Sequence, residues 1–266
     1  MSIATKQERS LKFNSPLELV TFVDDEILNG QMKLHKWQAQ IMTDFANPST
    51  DQDPFRSVVR AANGSGKDKY IIAPCAVWLG TVYDDSLCII TSASGNQLDR
   101  QTDRYIQQLL NGINRLFEKQ IWKLNYRHYT NLLNGSTIEL FATDEPGRAE
   151  GWHPAVANGQ FGIFVSEAKS ITDDIFTALA RCTGFTKRVD VSSPGIPDGH
   201  FYNACVGNVW KQYHVTAFDC PHLSQDYIDD VKNAYGENST LYRSMILADF
   251  GGLEEQVVIN FQQLVE

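Results

Sequence analysis

Apolar positions along this 266-residue chain follow two rhythms, and the places where one gives way to the other mark the expected elements. Trp37, Ile41 and Phe45 recur every four residues, which is one face of a helix over 35–46 that stops before Asn47-Pro48. SVVRAA (57–62) is a short β-branched run, a strand feeding directly into the glycine cluster NGSGKD (63–68). A helical stretch from Tyr70 to Leu79 follows, with a kink expected at Pro74. LCIITS (87–92) reads as a buried strand, and Leu98, Tyr105, Ile106, Leu109, Ile113 and Phe117 then line one side of a long helix. Residues 126–142 predict a hairpin, YRHYTNLL and STIELFA joined at Asn134-Gly135. FGIFVS (161–166) is another buried strand and KRVDVSS (187–193) a further strand, separated by an amphipathic helix from about Thr172 to Cys182. Ser224 caps a helix carrying Tyr227, Ile228, Val231 and Tyr235, which Gly236 ends. Apolar strands alternating with helices predict an α/β domain whose largely parallel central sheet is flanked by helices on both faces.

Composition narrows the class. Hydrophobic residues at 42% and charged residues at 21% supply a sizeable core and exclude wholesale disorder. No apolar run approaches the ~18 residues of a membrane span, so no membrane association is expected, and MSIATKQERS lacks a signal-peptide core. The five cysteines (75, 88, 182, 205 and 220) form no CxxC pair and read as buried thiols in a reducing compartment. The net charge of −9 is unevenly spread: residues 219–266 hold nine acids and two bases, residues 1–218 hold 23 acids and 21 bases. That balance argues against a generally basic nucleic-acid-binding protein but leaves room for a local stripe. Arg100, Arg104, Arg115, Lys119, Lys123 and Arg127 supply one over 99–127 against three acids, although such a helix is also read as a plain solvated face.

The segment AANGSGKD (61–68) ends a predicted strand and opens a predicted helix, the context a phosphate-binding loop requires. Backbone N–H groups of Gly64, Ser65, Gly66 and Lys67 are placed to cradle a β-phosphate at a helix N-terminus, with Lys67 neutralising β/γ oxygens. The alternative is a glycine turn with a solvated lysine. Ala61 replaces the usual first glycine, and Asp68 stands where a Ser or Thr normally ligates Mg²⁺. FGIFVSEA (161–168) has the apolar run of a second nucleotide motif, with Ser166 where an aspartate is expected and Glu167 kept as the carboxylate that orients and deprotonates water. One position gained a carboxylate and the other lost one. The two face each other across the metal, so Asp68 and Ser166 are expected to have traded roles and to share a hydrogen bond. A weakened site or an engineered substitution is the alternative.

The run VSEAKSITDDIFTALARC with KRVDVSSPGIPDGHFY (165–202) resembles the ATPase domain of tailed-phage large terminase subunits. LHKWQAQIM (34–42), AANGSGKD, TSASGNQLDRQ (91–101) and AEGWHP (149–154) are similar to that family's other motifs, in the same order, and the likeness extends over residues 34–260. The resemblance implies a P-loop NTPase fold of the ASCE type, with an N-terminal extension over 1–33, the ATPase domain over 34–248, and the start of a linker toward an absent nuclease domain over 249–266. It implies ATP and Mg²⁺ as ligands. Gln38 is then the adenine contact with Trp37 packed beside it (Trp37 is equally read as core), Lys67 holds phosphate, and Glu167 is catalytic. Ser192 and Ser193 match the motif that senses γ-phosphate, or simply cap a strand before Pro194. Asn63 occupies the position where the family often has an arginine, so the charge donor to the γ-phosphate is sought in Arg60 or Arg148, acting in cis or from a neighbouring subunit.

The implied function is a motor that hydrolyses ATP to drive double-stranded DNA into a procapsid in the host cytoplasm. Its implied partners are the portal protein, the small terminase subunit and further copies of the chain in a pentameric ring. Two other readings stand beside it: a helicase-like nucleic-acid ATPase, which expects a paired second domain, and a degenerate nucleotide-binding scaffold, motivated by Asp68 and Ser166.

Overall fold

The computed structural model describes residues 11–49, 51, 53–143, 147 and 149–251. Helix α1 (Pro16–Val23) opens the fold. Ser15 caps it by accepting from the Glu18 amide, and Pro16 sits in the first turn, where a missing N–H loses no bond. Helix α2 (Lys36–Ala46) and strand β1 (Phe55–Ala61) follow as the spacing predicts. The kink expected at Pro74 takes a definite form: the chain runs as a π-helical turn over Asp68–Ile72 before settling into α3 (Ala73–Val82). Pro74 cannot donate to the preceding turn, and the wider register accommodates that loss.

Strand β2 (Leu87–Ser92) leads to a helical turn α4 (Gly95–Gln97), a second π-helical stretch at Leu98–Asp103, and α5 (Arg104–Leu116). Strands β3 (Trp122–Asn125), β4 (His128–Asn131) and β5 (Thr137–Ala142) form a meander, and β6 (Phe161–Ser166) returns to the centre. Then come α6 (Asp173–Ala180), β7 (Lys187–Ser192), α7 (Gly199–Val206), β8 (Lys211–Val215), α8 (Gln225–Tyr235) and the short α9 (Thr240–Tyr242).

Among the described residues, eight strands join one sheet in the order β3-β4-β5-β2-β6-β7-β1-β8. Every pairing from β5 to β8 is parallel, and only β3–β4 and β4–β5 are antiparallel. β2, β6 and β7 are buried at every position, which is why β2 and β6 read as largely apolar runs. Alternate residues serve two cores. Ile90 and Phe164 face α1, α2, α3 and α5, while Ile89, Ile163 and Val165 face α6 and α7. Residues ahead of α2 belong to the first of these cores: Phe13, Leu19, Val20 and Val23 are buried in it, and the Trp78 indole donates to the Phe13 carbonyl at 2.8 Å.

The charged residues of β7 are internal. Arg188 and Asp190 lie two apart on one face and pair through two contacts of 3.0 Å, with His200 of α7 3.3 Å from Asp190. Burial alone raises the Asp190 carboxyl, but Arg188 and then His200 overcome it and hold it below its ordinary value.

The structure differs from the expected 126–142 hairpin. β4 and β5 do pair antiparallel, with Tyr129 opposite Ile138, but Asn134-Gly135 is not a two-residue turn between them. Asn134 instead donates to the carbonyls of Gly80, Thr81 and Tyr83, satisfying the open C-terminus of α3. The tight turn is at Tyr126-Arg127, between β3 and β4. β3, α7 and β8 carry no expected element; β3 and β8 are edge strands in which buried and exposed residues alternate over four or five positions.

Candidate functional site

In the order β2-β6-β7-β1 the C-terminal strand ends converge on one rim of the sheet, the place where parallel α/β sheets position ligands. The loop leaving β1 is shaped by two glycines at positive φ, Gly64 at +73° and Gly66 at +82°. A Cβ on Gly66 would lie 2.6 Å from the Tyr70 ring, so only glycine fits there. The loop carbonyls turn away from the rim: Gln38 Nε2 donates to Ser65 O at 3.4 Å, and His222 Nε2 lies 2.8 Å from Gly64 O. His35 in turn contacts His222 at 2.9 Å, and burial followed by the charge of His222 lowers its pKa. Among the described residues the backbone N–H groups of Gly64, Gly66 and Lys67 have no hydrogen-bond partner. They border a cavity of about 580 Å³.

Charged groups are organised around that cavity. Lys67 Nζ lies 2.9 Å from Glu167 Oε1. Glu167 follows β6 with φ 50° and ψ 47°, a left-handed conformation uncommon for non-glycine residues. Its second oxygen faces Ser192 Oγ at 3.4 Å. Asp68 is almost fully buried, and its Oδ1 accepts from Ser166 Oγ at 2.5 Å and from Thr102 Oγ1 at 2.8 Å. The expected hydrogen bond between Asp68 and Ser166 is therefore present, and a hydroxyl from the second π-helical stretch reinforces it. Lys169 enters from a 3-10 turn (Ala168–Ser170); its Nζ donates to Ser193 Oγ at 2.7 Å and its amide to Ser192 Oγ at 3.3 Å. Burial lowers the Lys169 pKa; Glu167 opposes the shift, and Lys67 adds to it.

The sequence-flagged residues divide into those at the cavity and those away from it. Asn63, Gly64, Gly66, Lys67, Asp68, Glu167 and Ser193 line it. Ser166 and Ser192 stand directly behind Asp68 and Glu167, and Ser65 is buried with an unpartnered hydroxyl. Gln38 does not line the cavity: it is fully buried, with its carbonyl oxygen taken by the His35 amide and its amide spanning to the loop. Trp37 packs against the apolar core. Arg60 does not line the cavity: it pairs with Asp249 at 3.2 Å and sits 6.0 Å from the Phe250 ring centroid. Arg148 lies outside the described residues. In the basic stripe Arg100, Arg104, Arg115, Lys119 and Lys123 are exposed, while Arg127 pairs with Asp99 at 2.7 Å.

No family model and no curated protein matches the sequence. Solved structures do match the fold. The large terminase from a thermophilic bacteriophage superposes with a TM-score of 0.66 at 15% identity, over 83% of this chain and 54% of that one. The same protein in complex with ATP-gamma-S gives 0.64 at 16% identity, over 82% and 53%. The large terminase ATPase domain of Thermus phage P74-26 gives 0.58 at 14% identity, over 82% of this chain and 94% of that domain. The fold is that of a phage large-terminase ATPase domain. The chain thus spans about half the length of the full-length terminase it matches. Within this terminase fold, β7 lies between β6 and β1, the strand that enters the glycine loop.

Sequence reasoning missed Lys69, Tyr105 and Lys169, which line the cavity, and pointed to Gln97 and Gln101 only through their segment. Gln97 and Gln101 fall inside the flagged segment 91–101, so a signal for them existed. Lys169 had only its place two residues after Glu167. His222, which holds the Gly64 carbonyl from more than 150 residues away, had none.

Proposed function

We propose that this chain is the ATP-hydrolysing motor domain of a viral large terminase, which drives double-stranded DNA into a procapsid. The observation that carries this reading is the set of unpartnered amides at Gly64, Gly66 and Lys67 bordering the cavity in which Lys67 meets Glu167. Such amides at a helix start form a phosphate cradle. The Lys67–Glu167 pair is then a resting state. A triphosphate competes for Lys67, and Glu167, still held by Ser192, is released to orient a water and accept its proton. The terminases solved with ADP or ATP-gamma-S support a nucleotide as the ligand.

Asp68 and Ser166 fit Mg²⁺. They supply a carboxylate and a hydroxyl, both hard oxygen ligands, at one point of the rim, and Mg²⁺ usually takes few protein ligands beside phosphate and water. When bound, the ion neutralises charge on the β/γ oxygens. The exposed arginines and lysines over 99–127 supply a surface for the DNA backbone. We assign the portal protein, the small terminase subunit and a ring of further copies as partners, and the host cytoplasm as the site of action.

Steady-state ATP hydrolysis with and without procapsids tests this reading. Glu167→Ala should lower kcat by about 10³-fold while nucleotide affinity changes little. Turnover that survives this substitution removes Glu167 from the chemistry. Strand separation by the wild type favours a helicase.

A further inference from the structure

We propose that Lys169 is the cation that grips the terminal phosphate of the bound nucleoside triphosphate and lets go of Ser193 as it does so. This rests on the nucleotide-site reading above. Phosphoryl transfer needs a positive charge at the transferred group in addition to the loop lysine. Among the described residues the other candidates are already engaged: Lys67 with Glu167, Lys69 with the Gln31 carbonyl at 3.0 Å, and Arg60 with Asp249. Asn63 in the loop carries no charge.

Lys169 lines the same cavity, on the Glu167 and Ser193 side. Among the described residues it has no carboxylate within ion-pair distance, and its ammonium is held only by the neutral Ser193 hydroxyl at 2.7 Å. A solvent-accessible cation with only a neutral partner at the edge of a phosphate cradle is free to take an incoming anion. Its stem runs along Gly195, where an added Cβ would touch Lys169 Cδ at 3.5 Å. The same loop is tied further on, with Ser244 Oγ donating to the Pro194 carbonyl and the Gly251 amide to Gly195 O at 3.5 Å. Transfer of Lys169 from Ser193 to phosphate therefore changes the loop that follows β7. Ser192, which accepts from the Lys169 amide and donates to Glu167, lies in the same circuit. The arrangement reports whether the third phosphate is present to residues 194–195 and, through them, to residues 244–251.

The test is direct binding of ATP-gamma-S and ADP to wild type, Lys169→Met and Lys169→Arg, by titration calorimetry. Lys169→Met keeps the stem and removes the charge. It should weaken ATP-gamma-S by roughly ten- to hundredfold and leave ADP within about twofold, so that ADP also reports that the site is folded. Lys169→Arg should retain most of the preference for the triphosphate. Equal loss of both ligands, or no loss of either, overturns the assignment of Lys169 while the nucleotide site stands. If the wild type binds neither nucleotide, the nucleotide-site reading fails and takes this proposal with it.

Discussion

Lys67 and Glu167 meet through one contact of 2.9 Å, across the end of β7 and beside an open cavity. Arg188 and Asp190, on β7 itself, meet through two contacts of 3.0 Å. A third partner, His200, and the rings of Phe176 and Trp210 close around that pair, and the Asp190 side chain is fully buried. Both pairs lie in poorly hydrated surroundings, yet one is built to be exchanged and the other to stay. What separates them is the number of alternatives. Each partner of the first has a second group or an open cavity within reach, whereas the second pair has every direction filled.

The comparison is broken most forcefully at the closed pair. Asp190→Ala leaves Arg188 buried without its carboxylate and should cost about 3–5 kcal/mol in urea unfolding at pH 7. The sign with pH is fixed. A carboxylate held below its ordinary value stabilises the fold above about pH 4 and loses that contribution as pH falls through its folded value. The gap between variant and wild type should therefore narrow below about pH 4. Glu167→Ala should do the reverse, removing turnover while costing about 1 kcal/mol of stability, since the released Lys67 faces the cavity.

A smaller effect tests the Asp68–Ser166 exchange. Asp68→Ser should lower Mg²⁺-dependent turnover by about 10²-fold, and adding Ser166→Asp should restore much of it; additive losses would sink the exchange. The smallest effect is expected at the surface. Arg127→Ala breaks its pair with Asp99 and should cost under about 1 kcal/mol by the same unfolding measurement, with kcat unchanged.

The parts of the molecule legible in the sequence were those where one local rule suffices. β2 and β6 are buried on both faces, so largely apolar runs marked them, and the glycine cluster after β1 could only be a special turn. The Asp68–Ser166 hydrogen bond was legible because two anomalies of opposite sign compensate each other. β8 and β3 were not, because an edge strand needs only one buried face and theirs are interrupted by Lys211, His214 and Lys123. Asn134 looked like a turn residue, since nothing nearby in the chain shows that the end of α3 needs its amide. Gln38 and Arg60 carried the right chemistry, but their partners, Ser65 and Asp249, were set by tertiary packing.

The position of β1 between β7 and β8 also sets an order of events during synthesis. The glycine loop 62–67 hangs from a strand whose two neighbours are made long after it, and the Ala62 amide is held only once Val215 exists. At translation rates of ~5–20 residues per second, the loop waits on the order of ten seconds for its frame. A nascent chain halted before β8 would carry every residue of that glycine loop and still lack the strand that holds it in place.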